Sequence, residues 1–297
     1  MYHLPKIQKG DEMVLVSPSR YVEEEWIEKF TELLDSKGFK TILSPNLFSR
    51  ENQFAGSDNE RIEDMQWAIN HPTAKAIWAI RGGYGAIRVL PHLNFSTLFN
   101  KPKWMVGYSD FCVFHIHLNN LQFPTLHATM PIHISDRQNF ITDFHNTLDL
   151  MQYGHGVLDL TTAIYQNKAN EEGILVGGNL SILYSMLGGL TKDFFKNKIL
   201  FLEDIGEYLY HIDRMVQTLY NYGVFNSLSG LLIGSMEDMQ DNKVPFGHDI
   251  QSIFESKLKR FSYPRVYGVP CGHSNPNGAL FLGQNAQITD NQLILNY

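Results

Sequence analysis

The chain has 297 residues, 43% hydrophobic and 19% charged, which is enough apolar material for one large or two ordinary domains and excludes a disordered tail protein. A formal net charge of −7, with no cluster of Lys or Arg, argues against a nucleic-acid backbone as the main partner. No apolar run approaches the ~18 residues of a membrane span, the N-terminus lacks the basic-then-apolar layout of a secretory leader, and two cysteines, Cys112 and Cys271, are too few for a disulfide framework or a zinc site.

In chain order, "MVLVSPS" (13–19) reads as a strand closed by a Ser-Pro turn, and "EEEWIEKFTELLDSKG" as a helix that stops at Gly38. "KTILSPN" is a second strand. "SDNERIEDMQWAIN" opens with Ser57 followed three places later by Glu60, the spacing of a capping box. "AKAIWAI" is a third strand running into "RGGYG" (81–85), and the apolar stretch before Ser109 is a fourth. This β-α-β-α rhythm predicts an α/β fold with a parallel sheet covered by helices. Ligands of such sheets gather beyond the carboxyl ends of the strands, where "RGGYG" and "GYSD" (107–110) both lie.

From about 135 to 172 the pattern weakens to one helix and polar, turn-rich chain. The expected organisation is therefore an N-terminal α/β domain over 1–145, a linker over 146–172, and a C-terminal β-rich α+β domain over 173–297. The second half supplies "GILVGGNLSILYSMLGG", the strand "KILFLED", the helix "LYHIDRMVQTLYNYG", the strand "LSGLLIGS" and short strands from Arg265 onward.

Several residues carry possible chemistry. Ser109 stands at a strand-to-helix corner with part of the nucleophile-elbow layout, although Phe111 replaces the second glycine of G-x-S-x-G. The alternative is a helix N-cap. "RGGYG" suits either an oxyanion hole, with backbone N–H groups approaching a ligand unhindered, or a tight turn. A phosphate loop is excluded by the missing G-K-[ST]. His115 and His117 are two apart on a helix, on roughly opposite faces, and cannot share a metal. His273, in the Gly-, Pro- and Asn-rich "GVPCGHSNPNG", is a loop histidine suited to proton transfer or simply to solvation. Glu203 and Asp204 end an apolar strand, where a carboxylate orients a histidine or caps a turn. Asp213 beside Arg214 reads as an ion pair, and Cys112 as a core residue.

Taken in order, "RGGYGAIRVLP", "VGYSDF", "LVGGNLSIL", "FLEDIGEYLYHIDRM" and "GVPCGHSNPN" resemble the motif set of the LD-carboxypeptidases, a family that includes murein tetrapeptide carboxypeptidases and microcin-immunity peptidases. The resemblance runs from "VLVSPS" to the final strands. It implies a Ser-Glu-His triad of Ser109, Glu203 and His273, with oxyanion donors at the N–H groups of Asp110 and of Gly83, the latter chosen over Gly82. Acid and base lie in the second half, so the site would form at the interface of the two domains. The resemblance further implies a homodimer, a peptide substrate ending in D-Ala, and hydrolysis of the meso-diaminopimelate–D-Ala bond of a recycled muropeptide. A cytoplasmic location suits that task.

No cofactor and no metal are expected, since no Cys/His/Asp group has ligand spacing. Nucleic acid and membrane are likewise not expected as partners. Three alternatives stay open. One is the microcin-immunity reaction on an aminoacyl-nucleotide amide. Another is a non-catalytic module that grips a small anionic ligand. The third is an amidotransferase-like hydrolase with Cys112 as nucleophile.

Overall fold

The computed structural model describes residues 2–167 and 170–296. Its first sheet grows from short, largely apolar strands: β1 (Glu12–Val16), β2 (Lys40–Leu43), β3 (Ala76–Ala79), β4 (Trp104–Gly107) and β5 (Thr125–His127). All five pair in parallel, in the order β5-β4-β3-β1-β2. The crossovers are α1 (Glu24–Ser36), α2 (Asp58–Asn70), the short α3 (Ala86–Val89) and α4 (Ser96–Asn100), and α5 (Cys112–Asn120), with α6 (Phe140–Tyr153) following β5. Helix α2 begins at the expected capping box, in which the Ser57 side chain accepts from Glu60 N while the Glu60 carboxylate accepts from Ser57 N. The core on one face is aromatic: Phe30 of α1 meets Trp78 of β3 edge-on at 5.0 Å, and Phe144 of α6 meets Phe30 at 5.5 Å.

The expected boundary at residue 145 falls inside α6, which runs on until Gly154 takes a left-handed conformation with φ 73°. The polar stretch expected as a linker carries β6 (His155–Asp159) and β7 (Ile164–Gln166). These strands form the two outer edges of a second sheet, whose other members are β8 (Glu171–Asn179), β9 (Lys198–Ile205), β10 (Gly230–Glu237), β11 (Arg265–Tyr267), β13 (Asn285–Ile288) and β14 (Gln292–Asn296). The order is β6-β14-β13-β8-β9-β10-β11-β7. Its middle is parallel and its flanks antiparallel. Helices α7 (Leu180–Met186), α8 (Leu209–Tyr222) and α9 (Ile250–Leu258) belong to this half. One strand breaks the division: β12 (Leu280–Leu282) leaves the second half and pairs antiparallel with β5 at the edge of the first sheet.

Helix α5 is buried nearly all round because it lies between the two sheets. Val113, Phe114 and Leu118 join the first core, whereas Cys112 and Ile116 join the second with Val176, Leu200 and Leu202. Gly178 explains how β8 comes so close. A Cβ there would lie 2.6 Å from Cys112 Sγ, and its φ of +129° disfavours any other residue. The start of α5, where Ser109 lies, therefore faces the carboxyl ends of β8 and β9.

Candidate active site

The corner after β4 is strained in a telling way. Tyr108 is extended, Ser109 has φ 60°, and a single 3-10 turn over Ser109–Phe111 leads into α5. A non-glycine residue there costs roughly 1–2 kcal/mol, and such strain gathers at functional sites. Ser109 is half-buried, between buried Tyr108 and Asp110. Gly107 makes room for the tight return: a Cβ on it would stand 2.8 Å from the Phe111 ring.

Asp110 clamps this corner to its surroundings. Its buried Oδ2 accepts from Ser19 Oγ at 2.6 Å, beyond the end of β1, and from Ala86 N at 2.8 Å, where "RGGYG" becomes α3. Burial pushes the Asp110 carboxyl up from its ordinary range, and the Ser19 and Ala86 bonds pull it back. The loop is braced from the other side by buried Arg61, which donates to Pro18 O at 2.8 Å and pairs with Asp58. Sequence reasoning used only the backbone N–H of Asp110. Its side chain, spanning three loops, left no local signal.

Within the glycine loop, Gly82 is the residue against Ser109. A Cβ on Gly82 would lie 2.9 Å from Ser109 Oγ and 3.3 Å from Asp110 N. Gly83 has φ +118° and lies against the Arg20 side chain, with which a Cβ would collide. Both glycines are thus required, one by space and the other also by backbone conformation.

Glu203 and Asp204 point to opposite sides of β9, as alternation demands. Fully buried Glu203 meets His273, with Oε2 2.6 Å from Nδ1. Asp204 faces away and accepts from Asn179 Nδ2 at 3.0 Å, Ser181 N at 2.9 Å and Ile205 N at 2.8 Å, so it secures the start of α7. Burial, and next the Glu203 charge, push the Asp204 carboxyl up to about 6. Glu207 turns elsewhere, to His211 Nδ1 at 2.9 Å.

The His273 loop is held on both sides of the interface. Gly272 N donates to Asn277 Oδ1 and Asn277 N to Asp143 Oδ2 of α6, each at 2.9 Å. Arg137 donates to His273 O at 2.8 Å and Ser274 O at 3.1 Å. The imidazole lies against the Tyr108 ring, with centroids 4.9 Å apart, and so beside the residue that precedes Ser109. Ser109 Oγ and His273 are not hydrogen-bonded to each other among the described residues. Such contacts are often long before substrate binds.

Other expectations divide. His115 is buried and hydrogen-bonded to Gly107 O at 2.9 Å, while half-buried His117 packs on Phe95, so the two share no site. Asp213 does not pair with Arg214: adjacent residues on α8 diverge, and Asp213 takes Lys257 of α9 at 2.7 Å instead. Cys112 is fully buried, and burial pushes its thiol well above its ordinary range, the setting of a core cysteine. Cys112 does, however, come together with His127 and Glu203, three ligand-type side chains that their sequence spacing did not connect.

The LD-carboxypeptidase N-terminal domain matches residues 13–128 and the LD-carboxypeptidase C-terminal domain matches residues 172–288. The chain belongs to the LD-carboxypeptidase family. It is 26% identical to the murein tetrapeptide carboxypeptidase of Pseudomonas aeruginosa, over 95% of this chain and 94% of that one. The solved muramoyltetrapeptide carboxypeptidase of Oxalobacter formigenes superposes with a TM-score of 0.85 at 26% identity, covering 96% of this chain and 99% of the other. The microcin C7 self-immunity protein MccF in complex with aspartyl sulfamoyl adenosine gives 0.89 at 18% identity, covering 99% and 98%, a likeness of fold. As an LD-carboxypeptidase the protein is a serine carboxypeptidase of two α/β halves with mixed sheets. No helix among its described residues is long and apolar enough to cross a membrane.

Proposed function

We propose that the protein hydrolyses the bond between meso-diaminopimelate and the terminal D-Ala of a murein tetrapeptide, with Ser109, His273 and Glu203 as its triad. In this reading Ser109 attacks the scissile carbonyl. His273 Nε2 takes the hydroxyl proton and returns it to the leaving D-alanine amine, and Glu203 holds Nδ1–H and stabilises the imidazolium. Water then releases the acyl group by the same route reversed. The N–H groups of Asp110 and Gly83 receive the oxyanion. The observation that carries the reading is the 2.6 Å contact between Glu203 of β9 and His273 of the loop between β11 and β12, set against the Tyr108–Ser109 corner of the first half. The murein substrate follows the Pseudomonas relative's name, and a cytoplasmic homodimer belongs to the same proposal; sedimentation velocity tests the dimer.

The deciding experiment incubates the protein separately with L-Ala-γ-D-Glu-meso-diaminopimelate-D-Ala and with an aminoacyl sulfamoyl adenosine, followed by mass spectrometry. Release of D-alanine alone supports the proposal. Cleavage of the sulfamoyl compound alone transfers the protein to the microcin-immunity reaction.

Gly82 offers a sharper test of the oxyanion site. The Cβ introduced by Gly82→Ala would occupy the space between Ser109 Oγ and Asp110 N, where the oxyanion has to form. Loss of one oxyanion donor costs roughly 10²–10³ in kcat, and blocking the hole should cost at least that much. Steady-state kinetics on the tetrapeptide within tenfold of wild type would remove the hole from this place. Activity should also survive prolonged EDTA treatment; a loss restored by added zinc or magnesium would make the enzyme a metallopeptidase.

A further inference from the structure

Glu203 also belongs to a buried trio whose other two members, Cys112 and His127, the proposed reaction does not use. Cys112 Sγ, a His127 ring nitrogen and a Glu203 carboxylate oxygen lie within 4.8 Å of one another, and all three residues are fully buried. His273 engages Glu203 through Oε2, whereas Glu203 Oε1 and His127 Nε2 have no hydrogen-bond partner among the described residues. Leaving a buried polar atom unpaired costs about 1–3 kcal/mol, so two in one place call for a reason.

The hydrogen bonds around them indicate what kind of group would satisfy both. Cys271 S–H donates to Gly278 O at 2.9 Å, which leaves its sulfur to accept from His127 Nδ1–H at 3.5 Å. That assigns the proton of the neutral imidazole to Nδ1 and a lone pair to Nε2. Burial, with His115 and His273 nearby, keeps the ring neutral. Cys112 Sγ itself accepts from Asn179 N at 3.3 Å. Nε2 and Oε1 are therefore two unsatisfied electron-pair donors of a trio that also holds a sulfur, and one thiol proton satisfies only one of them.

We propose that Cys112, His127 and Glu203 form an inhibitory site for a thiophilic divalent cation of the zinc class. The donor set is sulfur, nitrogen and carboxylate oxygen, as zinc prefers; calcium and magnesium demand more oxygens. Separations of at most 4.8 Å put a central atom no more than about 2.8 Å from each donor, and shifts of about half an ångström close that to zinc's ~2.0–2.3 Å. On binding, the metal–sulfur bond forms and the thiol proton leaves to solvent. Inhibition rests on the function proposed above. A cation on Oε1 draws charge from the carboxylate that Oε2 presents to His273, so kcat should fall while KM stays nearly constant.

Cobalt is the spectroscopic probe, because a thiolate–cobalt bond gives a near-ultraviolet charge-transfer band. Titrating the whole protein with Co²⁺ should raise that band to saturation at one ion per chain, and Zn²⁺ should abolish it. Cys112→Ala should lose the band; a band that persists there belongs to Cys271 and overturns the site. His127→Gln is the second variant, expected to keep the band but weaken cobalt binding about tenfold or more. Absence of the band in folded wild-type protein also overturns the site, whether or not the chain cleaves any peptide. With each protein referred to its own metal-free rate, Zn²⁺ should inhibit wild type, EDTA should reverse it, and Cys112→Ala should need about tenfold more zinc or greater. Equal zinc sensitivity of the two proteins, or an unaltered rate in cobalt-loaded wild type, overturns the inhibitory role.

Discussion

Ser109→Ala is expected to abolish turnover of the tetrapeptide while leaving the fold intact. Removing a triad serine elsewhere lowers kcat by roughly 10⁶, with the residual rate supplied by binding and the oxyanion hole. The φ of 60° allows a stability test on the same residue. Alanine keeps the strain of that conformation, whereas glycine relieves roughly 1–2 kcal/mol of it and gives back about 0.5–1 through the freer unfolded chain. Ser109→Gly should therefore be as inactive as Ser109→Ala yet melt at an equal or slightly higher temperature. An alanine variant with more than about a tenth of wild-type kcat would sink the nucleophile assignment. A glycine variant clearly less stable than alanine would sink the claim of strain.

Glu203→Gln is expected to lower kcat by about 10⁴ with KM nearly unchanged, as when an orienting carboxylate becomes an amide in a serine protease. The amide donates to His273 Nδ1 and so fixes the tautomer that cannot accept the serine proton. Its sequence neighbour provides the control. Asp204 takes three N–H donors, two at the start of α7 and one from Ile205, and Asp204→Asn sets an amide NH₂ against one of them. That should cost about 1–3 kcal/mol of stability and little kcat. Glu207→Gln, which loosens only His211, should alter neither greatly. Kinetics and thermal melts of the three variants separate these roles. A near-normal Glu203→Gln beside a crippled Asp204→Asn would reverse the two sides of β9.

The parts of this architecture legible in the sequence were those governed by local periodicity. β1 to β4 with their helices announce themselves because apolar strands alternate with capped amphipathic helices, as Ser57 and Glu60 show. The edge strands β6 and β7 were missed because they are half-exposed and polar, and only pairing with β14 and β11 makes them strands. β12 falls among the short strands expected from Arg265 onward, but nothing in its three residues tells that it joins the first sheet. In the site, the corner at Ser109 and the loop at His273 could be picked out from composition. The choice of Glu203 over Asp204 came from family resemblance, since alternation says only that one of them faces the cleft. His127 carried no cue of its own in the short strand Thr125–His127, and nothing linked it to residues 15 places upstream or 76 downstream.

The path of β12 bears on how the enzyme is made. Because Leu280–Leu282 completes the edge next to β5, the first sheet cannot close until a segment near the far end of the chain has left the ribosome. His273 lies in the loop that leads to that strand. Until residues 273–282 have been made, a nascent chain therefore holds an exposed β5 edge and no imidazole beside the Tyr108–Ser109 corner. Both are supplied by the same short stretch, so the edge and the proposed site should be completed together.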